Sequence, residues 1–191
     1  MRLRIAAWIA VALSWTTAAD LGAQTLPPIP TTHPRILLVG AAAIPVVLGR
    51  DGIRANKREG DGGTPRGRFR PLRLWWRADR LWRPTTALPG RRITADLAWC
   101  EDTRDRRYNR PFRRAPDEEG DRLRRNDHLY DLIVEIDHNT RPRVAGRGSA
   151  VFIHLARADR SPTAGCVALN IRQLRWLLAG LSPRTLVAIG A

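Results

Sequence analysis

Two residues of this 191-residue chain have the types and spacing to do nucleophilic chemistry together. Cys166 lies in SPTAGCVAL (161–169), and His154 lies twelve residues upstream in VFIHLARADR (151–160). A cysteine attacks as its thiolate, and a neighbouring base generates that thiolate. The polar stretch ARADRSP (156–162) reads as a return loop that brings the two ends together. Gly165 lets backbone approach a substrate closely, and the amides around Ala164 to Cys166 are candidates to stabilise an oxyanion. Spacing alone leaves a plainer alternative open. A cysteine followed by Val167 and Ala168 is ordinarily core, and a histidine at a strand end is ordinarily structural.

The elements that must position these residues read as mostly strands. Gly148 to Leu155 (GSAVFIHL) forms one and carries His154 at its end. Arg35–Val39, Ile44–Leu48, Phe69–Trp76, Leu129–Ile136 and Leu186–Ile189 read as others, with Pro45 marking a strand start or a sheet edge. One helix is predicted after Asn170. Asn170 and Gln173 make a capping box, Ile171, Leu174, Leu177 and Leu178 share a face, and Gly180 with Pro183 ends it. Residues 49–68 read as a long glycine-rich loop of the kind that is often functional. It is not a phosphate-binding loop, because Lys57 precedes the glycines. Residues 100–127 are dense in both charges and read as a surface excursion, with room for one short helix and a lid role.

Composition bounds the rest. Hydrophobic content of 43% and charged content of 27% describe a globular chain with a sizeable core. The net charge is +15, and nearly all of it is arginine, since Lys57 is the single lysine. The arginines are spread along the whole chain and collect in no basic block, which reads as codon bias first and anion affinity second; the basic surface still suits an anionic partner such as a carboxylate-rich polymer rather than nucleic acid. Residues 1–19 carry a positive start, a short apolar run from Ile5 to Trp15 and the small residues Thr17-Ala18-Ala19, as in a signal peptide. This predicts export to the periplasm or cell envelope, with no stable membrane span after cleavage. Residues 20–34 then form a proline-rich lead-in, and 35–191 a single domain. After export, Cys100 and Cys166 have two fates: a disulfide with each other, or two free thiols. No C-x-x-C pair exists to hold zinc, so no metal or cofactor is expected.

The segment HLARADRSPTAGCVALN resembles the signature of the L,D-transpeptidase (YkuD-like) catalytic domain: a His, a loop, then Ser/Thr-x-Gly-Cys. KREGDGGTPRG (57–67) is similar to that family's D-G-x-T-P-x-G segment, and GRGSAVFIH (146–154) to its strand leading to the histidine. IPVVLGRDG fits the strand and turn before the first segment. The resemblance spans about residues 35–190, in the family's order. It implies a mainly β fold, a YkuD-like β-sandwich with a helix after the catalytic cysteine and few short helices. It also implies Cys166 as nucleophile, His154 as base, and Thr163, Ala164 and Gly165 as oxyanion or substrate-binding positions. The implied substrates are peptidoglycan stem peptides, joined 3→3 through a thioacyl-enzyme by a monomer. Hydrolysis of the same stems, or a non-catalytic wall-associated role, are the alternatives. Ala164 stands where many members have a second His, Leu155 where Gly is common, and the His-to-Cys gap is short, which marks a divergent branch.

Other residues are weaker candidates. His138, Ser149 and Tyr108 are placed near a cleft or in ordinary hydrogen bonding. Glu59 and Asp61 read as turn formers. Arg147, Arg157 and Arg160 flank the motif residues and suit carboxylates. Trp75, Trp76, Trp82 and Trp99 read as core and lid packing.

Overall fold

The computed structural model describes residues 36–39 and 41–190. The readings of 1–19 as a signal peptide and of 20–34 as a lead-in fall outside the described residues. In chain order the strands are β1 (Ile36–Val39), β2 (Ala42–Pro45), β3 (Ile53–Arg54), β4 (Thr64–Pro65), β5 (Gly67–Phe69), β6 (Pro71–Trp76) and β7 (Gly90–Arg92). They continue with β8 (Leu97–Trp99), β9 (Pro111–Arg113), β10 (Asp121–Arg122), β11 (Leu132–Ile136), β12 (Phe152–Leu155), β13 (Val167–Leu169) and β14 (Val187–Ile189). One helix, α1 (Ile171–Gly180), lies between the last two. The mainly β sandwich expected from the sequence is the observed class, and α1 is the one helix among the described residues.

A five-stranded sheet, ordered β13-β12-β11-β6-β7, forms the centre. Its two faces follow from period-two alternation. Leu74, Val134, Ile153 and Val167 point to one side and pack with Leu37, Val187 and Ile189 of the four-stranded sheet β2-β1-β14-β5, and with Leu174, Leu177 and Leu178 of α1. Trp75, Ile133, Phe152 and Cys166 point to the other side and pack with Trp99 and Leu123. Each large side chain fully buried here contributes about 1.5–3 kcal/mol.

Helix α1 starts as the sequence predicts. The Asn170 side chain accepts from the Gln173 amide and the Gln173 side chain accepts from the Asn170 amide. Leu174, Leu177 and Leu178 are buried, whereas Ile171 stays 41% exposed at the first turn. Gly180 is the last helical residue, and the chain leaves through an extended Leu181.

Several expectations are corrected. The strands read from Leu129 and Gly148 begin at Leu132 and Phe152. Pro45 ends β2 instead of starting a strand, and β2 is a sheet edge, where a missing amide is tolerated. The apolar run 69–76 divides at Arg70. β5 pairs with β14 in one sheet and β6 with β11 in the other, so one run serves both layers. The loop 49–68 contains the paired strands β3 and β4. Segment 100–127 contains no helix. Its β9 and β10 flank β8 in a three-stranded sheet, ordered β10-β8-β9, and Trp99 of β8 with Leu123 just after β10 pack on the Cys166 side of the core. No described helix is long and apolar enough to cross a membrane. Trp75, Trp76 and Trp99 are buried as expected, but Trp82 is 94% exposed.

Candidate functional site

Strand register brings the two motif residues to one face. β12 and β13 run parallel, with His154 opposite Ala168. Cys166 is two residues before Ala168 and His154 two after Phe152, so alternation puts all four on the same side. The Phe152 amide reaches the Cys166 Sγ at 3.4 Å, which fixes the thiol at the start of β13. Cys166 and His154 line one cavity of about 150 Å³, together with Tyr130, Arg125, Arg157 and Thr163.

The imidazole is oriented from behind. Its Nδ1 lies 2.8 Å from the Leu155 carbonyl, which can only accept, so Nδ1 carries the proton and Nε2 keeps its lone pair. Tyr130 packs edge-on against the ring at 5.3 Å, and its hydroxyl donates to Asp121. Burial pushes the His154 pKa down to about 4, against the smaller raising effect of the Leu155 carbonyl. Burial also pushes the Cys166 thiol up to about 12, opposed by the Phe152 amide. At neutral pH both groups are uncharged, and the thiol donates to the Ala150 carbonyl at 3.1 Å. The pair is therefore a thiol and a neutral base, and not a preformed thiolate–imidazolium pair.

The turn before Cys166 is pinned from three sides. The Thr163 amide donates to the Leu48 carbonyl, and the Thr163 carbonyl accepts from the Arg50 amide. The Thr163 hydroxyl donates to the Cys166 carbonyl at 2.7 Å and accepts from the Gly165 amide at 3.1 Å. Gly165 has φ +148°, and a Cβ there would lie 2.9 Å from the Gly63 carbonyl oxygen. Here the D-G-x-T-P-x-G segment meets the cysteine turn. Thr64, fully buried, accepts from the Gly49 amide at 2.8 Å, and its hydroxyl lies 3.4 Å from the Cys166 carbonyl.

These contacts refine the expected roles of the turn residues. The Thr163 hydroxyl is taken up inside the turn, and it occupies the Gly165 amide. That leaves the amides of Ala164 and Cys166, which donate to no protein acceptor in the described network, as those available to an oxyanion. Ala164 is exposed and borders both cavities next to Cys166.

The remaining candidates divide. Asp61 is the turn former expected, accepting from the Arg58 and Gly63 amides and pairing with Lys57 at 2.6 Å. Glu59 instead reaches the cleft, where it accepts from the Tyr108 hydroxyl. Ser149 lines the same space. His138 lies outside these cavities, bonded to the Arg147 carbonyl and stacked edge-on against Phe69. Arg157 lines the cavity with His154, while Arg147 pairs with Asn56. Cys100 and Cys166 are both buried and free, in separate apolar clusters, so the disulfide alternative is not adopted. Among the described residues no group of His, Cys, Asp and Glu has the arrangement of a metal site.

Sequence reasoning missed Tyr130, Arg125, Glu101, Asp121 and Lys57 as cleft residues. Only Lys57 carried a signal. It is the single lysine among 33 basic residues and is 8% exposed.

A family model described as the L,D-transpeptidase catalytic domain (YkuD) matches residues 37–189. Comparison with curated proteins and with solved structures returned no match to either.

Proposed function

The chain belongs to the L,D-transpeptidase catalytic domain family, and from that premise we propose that it is a cysteine acyltransferase of peptidoglycan stem peptides. The observation that supports this most is the shared cavity. Cys166 and His154 stand on one sheet face, and the Leu155 carbonyl holds the proton on His154 Nδ1, which leaves the Nε2 lone pair free to accept one.

The chemistry follows from the protonation states. The Cys166 thiol passes its proton to His154 Nε2 as Sγ bonds to the substrate carbonyl carbon. The Ala164 and Cys166 amides hold the resulting oxyanion. The carbon–nitrogen bond breaks, and the leaving amine takes the proton from His154. A thioacyl-enzyme remains, with His154 neutral again. An amine from a second stem then attacks, passes a proton through His154 to the departing sulfur, and forms a 3→3 crosslink. Water in the same place gives a shortened stem and makes the enzyme an L,D-carboxypeptidase.

Burial of both groups shapes this scheme. A charged pair is unfavourable in the resting dry site, so proton transfer is coupled to attack, when substrate charge develops beside it. The free thiols of Cys100 and Cys166 favour the enzyme over the non-catalytic reading, which would follow from a Cys100–Cys166 bond.

In this proposal the protein works outside the cytoplasm as a monomer, exported through residues 1–19, with no cofactor. Incubation with disaccharide-tetrapeptide tests it: an acyl adduct on Cys166, followed by a crosslinked dimer or a shortened stem, is expected. An unmodified Cys166 refutes it.

A further inference from the structure

A second cavity, about 160 Å³, opens beside Cys166. It shares Tyr130, Ala164 and Cys166 with the first cavity but lacks His154. Its distinguishing residues are Glu59, Glu101 and Asp121, with Lys57 and Ser149. In a chain of net charge +15 this is an acidic island. The one cation within it is already committed, since the Lys57 ammonium pairs with Asp61 and the Arg58 carbonyl. Asp121 accepts from Tyr130 and lies 3.9 Å from the Arg125 guanidinium, Glu59 accepts from Tyr108, and the exposed Glu101 has no hydrogen-bonded protein partner among the described residues.

A second observation is independent of these charges. Ser149 is 8% exposed, and its Oγ is buried without a hydrogen bond. The nearby Tyr108 hydroxyl gives its proton to Glu59 instead. A buried hydroxyl facing a cavity with no partner is costly, and a donor-rich ligand group removes that cost. An ammonium has three N–H donors and no acceptor. It would satisfy the serine and two carboxylates at once.

Microscopic reversibility says which part of the substrate this is. The leaving amine must reach His154 Nε2, so it occupies the first cavity, where Arg157 suits its carboxylate. The attacking amine takes that same position in the reverse sense. The side chain of the acylated residue is left to the second cavity. We infer that Glu101, Asp121, Glu59 and Ser149 form a specificity subsite for a side-chain ammonium on the acyl-donor residue. The volume suits a short aminoalkyl chain and is well below the ~300–1,000 Å³ of pockets that enclose whole drug-sized ligands.

This inference rests on the acyl-transfer reading, and its test separates the two. Purified disaccharide-tetrapeptide is compared with the same molecule N-acetylated on the side-chain amine of its third residue. The rate of Cys166 adduct formation is followed by mass spectrometry over a range of substrate concentrations. The intact enzyme is expected to prefer the free amine by about 10- to 100-fold, the usual worth of charge-assisted hydrogen bonds. Glu101→Gln with Asp121→Asn should reduce that preference to about threefold or less. The loss should come mainly from a raised half-saturation concentration for the free-amine stem. Ser149→Ala, a minimal change, should lower the preference several-fold and serves if the double variant does not fold. Equal acylation of both stems by the intact enzyme, or an undiminished preference in the variants, overturns the inference alone. Absence of an adduct from either stem overturns the acyl-transfer reading and the inference with it.

Discussion

Replacing Thr163 with valine keeps its shape and removes one oxygen. That oxygen donates to the Cys166 carbonyl at 2.7 Å and accepts from the Gly165 amide at 3.1 Å. Two hydrogen bonds of ~0.5–1.5 kcal/mol each are lost, so the variant should be about 1–3 kcal/mol less stable. Partial exposure of Thr163 allows water to compensate in part, which favours the lower end of that range. The kinetic effect arises because the same turn presents the Ala164 and Cys166 amides. If half of the lost energy, ~0.5–1.5 kcal/mol, is felt as misplacement of these donors, acylation slows roughly 2- to 13-fold, since 1.36 kcal/mol is tenfold in rate. The assay is the rate of acyl-adduct formation with a carbapenem, beside the unfolding midpoint. Thr163→Ser retains the oxygen and should keep the unmodified rate. If the valine variant acylates as fast as the unmodified protein, the hydroxyl does not organise the oxyanion amides, and the assignment of this turn is wrong.

Further expectations follow from the site. His154 remains neutral until pH falls to about 4, so the acidic limb of the acylation profile should lie near that value and not near 6.5. The same burial carries a stability cost in acid. The unfolded chain protonates His154 first, so its stabilising contribution is complete above pH ~6.5 and falls by ~3 kcal/mol as pH drops through about 4. Denaturant unfolding should therefore show His154→Gln losing less stability than the unmodified protein between pH 7.5 and 4.5; equal losses contradict this. With its pKa near 12, Cys166 should react with iodoacetamide about 10³-fold or more slowly than a free thiol at pH 7, and rapid alkylation would show a preformed thiolate. Gly165→Ala places a Cβ 2.9 Å from the Gly63 carbonyl at φ +148°, and calorimetry should record ~1–3 kcal/mol of destabilisation.

What the sequence disclosed was local. The apolar run GSAVFIHL foretold a strand with His154 near its end, and the Asn170–Gln173 box foretold α1 to the residue at its start. What it hid depends on distant pairing. Nothing in FRPLRLWW announces that the chain changes sheets at Arg70, because both halves satisfy the same apolar pattern. Segment 100–127 is too charged to show strand periodicity, yet pairing with β8 brings its Leu123 to the Cys166 side of the core. Glu101 and Asp121 were overlooked for that reason: their significance comes from facing Cys166 across the fold. Thr163 was matched to a substrate-binding position, but its hydroxyl is turned inward to the backbone, a distinction only coordinates reveal.

Mass spectrometry of the protein incubated with disaccharide-tetrapeptide, with peptide mapping of the adduct, decides whether Cys166 is the acyl carrier. A thioester on Cys166 is expected, adding the mass of the stem less its terminal residue, absent in Cys166→Ala and strongly reduced in His154→Ala. An adduct that persists in Cys166→Ala, or forms at full rate without His154, refutes acyl transfer through this pair.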